Sequence, residues 1–354
     1  MKLTNLICIV AGLLLFSCEI EKTEYRKFLT DKDYDMGFGT GMFIVHKQSI
    51  SFYSPGQNKV FSDIYYNQNG VQILNPIHSF VSNGFIGVIS FENDNTLEWI
   101  RLKNFTTIAT LSINGPKNIT SNNLLSYGGK DSAGVCLVDY DKTIIKNIPL
   151  NIDPGKIFGT NGFIYVFSSG NNMNDSIIYR LYTPDSYHLN MIHKLDSFVV
   201  GKRPIDCVNV MIEYSGYFHP GLYILCKGNS KIPPSIVEFD LVTNKVVRTH
   251  YFESTDYKPE NLFWILPYTE NTKLVSYINN KLYIINLENG IALSLLTNKN
   301  VSELVGYNNY YIGVSRDTTS STSYLYRFKI PTFEIADSLV IDGKALNIIG
   351  DYYE

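Results

Sequence analysis

The chain lacks the short signatures that announce chemistry. It has no His-Glu-x-x-His, no Gly-x-Ser-x-Gly and no P-loop sequence. That removes the familiar zinc protease, nucleophile-elbow hydrolase and nucleotide hydrolase readings. Its six histidines, at positions 46, 78, 188, 193, 219 and 250, show no metal-ligand spacing, so no metal site is expected. No catalytic residue and no cofactor is assigned. Charge is scarce at 18% of residues, and the net charge of -3 carries no basic footprint for nucleic acid. Long apolar runs are absent too. The longest, Leu6 through Phe16, is broken only by Gly12 and is too short to span a bilayer as a stable helix. Alanine is sparse, while 26 tyrosines and 20 phenylalanines are present among the 354 residues. That composition suits strands and tight turns better than helices.

What is there is a repeat. Gly41-Met42-Phe43-Ile44-Val45, Asn83-Gly84-Phe85-Ile86-Gly87-Val88, Asn161-Gly162-Phe163-Ile164-Tyr165-Val166, Gly221-Leu222-Tyr223-Ile224-Leu225 and Asn309-Tyr310-Tyr311-Ile312-Gly313-Val314 are copies of one element. Asn123–Tyr127 and Thr272–Tyr277 are weaker copies. A second strand follows each: Ser51–Ser54, Leu97–Leu102, Val135–Tyr140, Ile177–Tyr182, Ile236–Leu241, Leu282–Leu287 and Tyr324–Ile330. After an Asp, Asn or Pro turn a third strand is legible at Thr143–Leu150, His188–Leu195, Val246–Phe252 and Phe333–Ile341. Short strands repeating every ~48 residues predict an all-β fold, a β-propeller of seven four-stranded blades. Six or eight blades remain open, because the third and sixth copies are weak. The N-terminal copy lacks an inner strand, and Ala345–Tyr353 begins the unit again. The C-terminal strand is therefore expected to complete the first blade and close the ring.

The N-terminus reads as an address. Lys2 precedes the apolar run, and Leu15-Phe16-Ser17-Cys18 follows it. This segment resembles the lipobox of bacterial lipoproteins. The resemblance implies cleavage before Cys18 and lipid on its sulfur. The expected organisation is a signal peptide over 1–17, a lipidated tether over 18–36 and one propeller domain over 37–354. Cys136, Cys207 and Cys226 remain in the propeller. A hairpin centred near Gly216–Tyr217 would set Cys207 opposite Cys226. They are then a candidate disulfide, or two small buried side chains.

Lipobox, tether and degenerate propeller together resemble the lipid-anchored, TolB-like propeller proteins of bacterial cell envelopes. Leu102-Lys103-Asn104-Phe105 through Gly115-Pro116 is similar to the outer strand and Gly-Pro turn of such families. The resemblance implies architecture and an envelope location, the outer membrane before the inner, and no catalytic residues. A base recurs where one blade passes to the next: Lys117, Lys156, Lys202, Arg203, Lys258, Lys299 and Lys344. Pointed at the channel mouth, these would focus a positive field on an anionic ligand. As ordinary turn residues they would only be solvated. The expected function is a binding or scaffold module for an envelope protein, a glycan or an anionic ligand, held to the membrane by its lipid. The alternative is an envelope glycan hydrolase or lyase with carboxylates at the channel mouth. Tyr214, Tyr217, Phe218 and His219 lie in the expected turn and are the aromatic candidates for exposure.

Overall fold

The computed structural model describes residues 41–350 with short breaks, the longest at 183–192. Seven four-stranded antiparallel sheets form a propeller, and the described residues include one short helix. In chain order, the first blade holds β1 (Met42–His46), β2 (Ile50–Ser54) and β3 (Lys59–Phe61), followed by α1 (Ile64–Asn69). The second holds β4 (Ile77–Asn83), β5 (Ile86–Phe91), β6 (Thr96–Arg101) and β7 (Thr106–Ser112). The third holds β8 (Pro116–Ile119), β9 (Leu124–Gly128), β10 (Ala133–Val138) and β11 (Ile144–Pro149). The fourth holds β12 (Pro154–Thr160), β13 (Phe163–Ser168), β14 (Ile177–Tyr182) and β15 (His193–Val199). The fifth holds β16 (Pro204–Tyr214), β17 (Tyr217–Cys226), β18 (Ser235–Asp240) and β19 (Lys245–Tyr251). The sixth holds β20 (Pro259–Ile265), β21 (Lys273–Ile278), β22 (Lys281–Asn286) and β23 (Ala292–Thr297). The seventh holds β24 (Val305–Tyr307), β25 (Tyr310–Val314), β26 (Thr322–Lys329) and β27 (Ile335–Asp342).

β28 (Ala345–Gly350) then returns to the first blade and pairs antiparallel with β1, Met42 opposite Gly350 and Phe43 opposite Ile349. The expected closure is the observed one. The first strands of successive blades touch: β4 with β8, β8 with β12, β12 with β16, β16 with β20 and β24 with β28. They line the axis. Because strands alternate in direction, the start of each first strand and the loop between second and third strands share one face. We call it the junction face. The turns that follow first and third strands lie on the opposite, turn face. Met42, opposite Gly350, therefore enters from the turn face.

Burial explains the sequence pattern. Second strands are sandwiched between neighbouring blades, so β1, β5 and β21 are buried almost throughout and read as continuous apolar runs. Outer strands such as β7 and β19 are exposed or half-buried along most of their length, with one buried residue each, Ala109 and His250. Each apolar cluster spans two blades. Tyr165 and Phe167 of the fourth meet Cys207, Leu222 and Ile224 of the fifth, and Met42 and Ile44 meet Ile312 and Val314 of the seventh. Between the first and second blades, Phe43 packs edge-on against Phe80 with ring centres 5.3 Å apart. Gly87 makes room there, since a Cβ would stand 2.7 Å from the Phe80 ring.

The register that would set Cys207 opposite Cys226 is corrected, and of the two readings the cysteines are two small buried side chains. The hairpin turns on Ser215-Gly216, both at positive φ (54° and 80°), one residue earlier than expected. Cys207 consequently faces Ile224, and Cys226 faces Pro204. Cys136, Cys207 and Cys226 are buried free thiols. Burial pushes Cys136 and Cys226 up to about 12 and Cys207 well above the usual thiol range.

Candidate functional site

The junction face is built by the residues that start the inner strands. Pro116, Pro154, Pro204 and Pro259 are the first residues of β8, β12, β16 and β20. A strand tolerates proline at its first position, where no ladder N–H is missed. A register irregularity follows each proline. The residues two places on are Asn118, Lys156, Asp206 and Asn261. Two of them reach the next blade at the same relative position. Asn118 Oδ1 accepts from the Ile157 N–H at 3.4 Å, and Asp206 Oδ2 accepts from the Leu262 N–H at 3.0 Å. Asp206, 2% exposed, also accepts from the Cys207 N–H at 2.7 Å and pairs with Lys156 Nζ at 2.6 Å. Lys117 forms an ion pair with Asp153. Ser126 Oγ donates to the Gly155 carbonyl at 2.7 Å. A polar belt thus stitches the third to sixth blades around the axis.

The sequence-derived cations divide accordingly. Lys117 and Lys156 are held by carboxylates of the neighbouring blade. Lys258 is exposed, and its main-chain N–H donates to Asn279 Oδ1 at 2.9 Å. Lys299 lies over the Tyr326 ring at 5.7 Å. Lys344 is exposed beside the start of β28. Lys202 and Arg203 precede β16 on a strand-to-strand junction that a neighbouring loop locks. The Lys227 N–H donates to the Arg203 carbonyl at 2.9 Å and the Gly228 N–H to the Lys202 carbonyl at 3.0 Å. Arg203 sits at φ 56°, and its Nε is buried without a hydrogen-bond partner. Within the second loop Asn229 Oδ1 accepts from the Lys231 and Ile232 N–H groups, both at 2.8 Å. Two knitted loops therefore present Lys202, Arg203, Lys227 and Lys231 on one blade. Lys227 and Lys231 were not among the sequence candidates. Their only sequence signal is the long loop they occupy. Cys18 lies outside the described residues.

No group of three or more His, Cys, Asp or Glu side chains able to hold a metal occurs among the described residues. Histidines instead make pairs. His250 Nε2 meets Glu238 Oε1 at 2.7 Å, and His219 Nδ1 meets Asp240 Oδ2 at 2.9 Å. Burial alone would raise the Asp240 carboxyl. Hydrogen bonds from His219, from the Thr243 hydroxyl and from the Val242 and Thr243 N–H groups hold it below the usual range. A groove of about 520 Å³ lies between the fifth and sixth blades, lined by Phe252, Glu253, Tyr257 and Glu288 among others.

His46, 4% exposed, ends β1 opposite Ala345 and bonds Ser51 Oγ at 3.0 Å. Burial lowers its pKa from 6.5, against weaker opposing effects of the Lys344 main chain and the Asp63 charge. The unfolded chain therefore binds this proton at a pH where the folded one does not. Stability is full above 6.5 and falls as pH drops from there towards the folded value. Urea midpoints measured across that window should decline in the parent, and His46→Gln should flatten the decline. A profile unchanged by the substitution would contradict this assignment.

Among the described residues no helix is long and apolar enough to cross a membrane. No family model and no curated protein sequence matches the chain. Solved structures do match in fold. BamB from Moraxella catarrhalis is 11% identical at a TM-score of 0.51, with 86% of this chain and 84% of that one covered. A Lactobacillus plantarum protein is 10% identical at a TM-score of 0.57, over 88% and 99%. The dihydro-heme d1 dehydrogenase NirN is 8% identical at a TM-score of 0.55; 87% of this chain is covered, but only 65% of NirN's length. At these identities the likeness is one of fold alone: the chain is a seven-bladed β-propeller with propellers among its structural neighbours.

Proposed function

We propose that this chain is a lipid-anchored cell-envelope propeller that works as a binding module, holding an anionic group of a partner protein or glycan on its junction face. The observation that carries the reading is the pair of knitted loops on the fifth blade, which bring Lys202, Arg203, Lys227 and Lys231 together on one side of the ring. Long-range attraction by such a cluster raises the local concentration of anions and speeds their capture. Lys117 and Lys156 serve a different end, since their charge is matched by Asp153 and Asp206. Propeller architecture supports the reading, as loops carried on a rigid ring are where binding surfaces are built. The lipobox-like Leu15-Phe16-Ser17-Cys18 supports the anchor, with Cys18 as the lipidated residue.

The test is a pulldown from cross-linked envelopes, with the protein tagged after Glu354. A variant carrying Lys202→Glu, Arg203→Glu and Lys231→Glu is run beside it. Lys156 is left intact, because replacing it would strip Asp206 of its counter-charge. A partner or acidic glycan should come down with the parent, weaken with added salt, and be lost from the variant. Equal recovery by the variant would remove the basic loops from the function.

A further inference from the structure

The hairpin of β16 and β17 is out of proportion to the rest of the ring. These strands have 11 and 10 residues, where the inner pair of the third blade has 4 and 5. β18 pairs only as far as Asp240 opposite Gly221. The ribbon therefore runs past its own blade by about four residues, roughly 13 Å at strand rise. It ends on the turn face, at Ser215-Gly216. Its tip is apolar and open to solvent: Tyr217 is 72% exposed, Phe218 69% and Met211 57%. Val242, 59% exposed, adjoins it from the next turn, where the Leu241 N–H donates to the Pro220 carbonyl at 3.0 Å.

The tip is also firmly built. Asp240 at its base takes His219 Nδ1 at 2.9 Å, the Val242 N–H at 2.8 Å and the Thr243 hydroxyl at 2.8 Å. Ile212, 2% exposed, fills the space above Gly221, where a Cβ would collide with it at 2.2 Å. A rigid ribbon that holds two aromatic rings and a methionine in water calls for an occupant.

The chain's own entry point says which. Met42 lies opposite Gly350, so the segment leading to the ring arrives on the turn face, the face that carries the tip. Residues 19–40 would join Cys18 to that point. The charges nearby are mixed: Glu213 is opposite Phe218, and Lys245 follows the Val242 turn, both exposed. The fit is thus apolar and interfacial and does not require anionic lipid. Tyrosine and phenylalanine at the end of a polar-backed ribbon suit the headgroup boundary, where aromatic rings accumulate.

We propose that the tip formed by Met211, Tyr217, Phe218 and Val242 dips into the interfacial layer of the membrane that holds the lipid anchor, and so turns the junction face outward. The inference rests on the anchor reading above, and the experiment separates the two. The full chain, made in a host that processes lipoproteins, is reconstituted into phosphatidylethanolamine–phosphatidylcholine vesicles with ordinary or brominated acyl chains. Phe218→Trp reports from the tip. Tyr251→Trp, from an exposed site at the junction-face end of β19, reports from the opposite face. The parent, with Trp99 and Trp264, supplies the blank. All three proteins should float with the vesicles, and brominated lipid should quench the Phe218→Trp emission by roughly half, as expected for a ring seated 5–10 Å into the boundary. Tyr251→Trp should match the blank. Flotation with no added quenching at position 218 overturns the proposal and leaves the tip to a protein partner. Quenching at 251 in its place overturns it also. Failure to float removes the anchor, and the proposal falls with it.

Discussion

Ending the chain at Lys344 is expected to unfold the whole propeller rather than trim it. β28 is the inner strand of the first blade, and its loss leaves the axial edge of β1 unpaired from Met42 to His46. It also opens the cluster in which Ile348 and Ala345, 2% and 3% exposed, meet Met42, Ile44, Val305, Ile312 and Val314. Fully burying one isoleucine is worth about 2–3 kcal/mol. The lost side chains, the vacated space and the missing ladder together approach the 5–15 kcal/mol that holds a typical domain. The truncated protein should show no cooperative melting transition near the parent's, and adding the peptide 345–354 should restore one. Two milder variants separate closure from general damage. Ile348→Ala should cost ~2–5 kcal/mol, while Leu346→Ala, at a side chain 39% exposed, should cost little. A truncated chain that melts with its parent would mean that the ring does not depend on this strand.

The second large effect belongs to Asp206. Its carboxylate is buried, pairs with Lys156, and accepts N–H groups from Cys207 in its own strand and Leu262 in the next blade. Asp206→Ala abandons both N–H groups and the ammonium, and should cost ~3–5 kcal/mol, read as a lower urea midpoint at constant slope. Asp206→Asn keeps an acceptor oxygen and should recover part of that. Lys156 is 40% exposed and can return to water. Lys156→Met should therefore cost much less in the Asp206→Ala background than alone, and a double-mutant cycle will read the difference. If Asp206→Ala stays within ~1 kcal/mol of the parent, the belt is not a stabilising element.

The sequence displayed the parts of this fold that burial writes into it. The apolar run at Ile177–Tyr182 matches β14 to the residue, and that at Ile236–Leu241 matches β18 within one residue at each end, because strands packed between blades must be apolar along most of their length. The closing strand was legible because Ala345–Tyr353 repeats a unit whose start the N-terminal copy lacks. What lay between blades was not legible. Lys117 meets Asp153 and Lys156 meets Asp206, pairs 36 and 50 positions apart whose spacing follows no period. The lysines could be placed at the junctions, but not their partners. The prolines held the better clue: the residue two places beyond each lies on the inner strand, whether Asn, Lys or Asp. The register of β16 with β17 turned on whether Ser215 would accept a left-handed backbone, and a one-residue change in the turn moves every cross-strand partner by two. Exposure at Tyr217 and Phe218 was readable from their place in a turn, while the length of ribbon beneath them was not.

The clasp between β1 and β28 also sets the order in which the molecule comes into being. It joins Met42 to Gly350, segments 308 positions apart in the chain (350 − 42). Hairpins within a blade form from neighbours and can form early, but this contact waits until nearly everything between has folded. Folding is thus expected to be slow and to end in one concerted step. Until that step, the half-made ring carries a bare strand edge on its first blade, and that edge is where misassembly between two unfinished chains would begin.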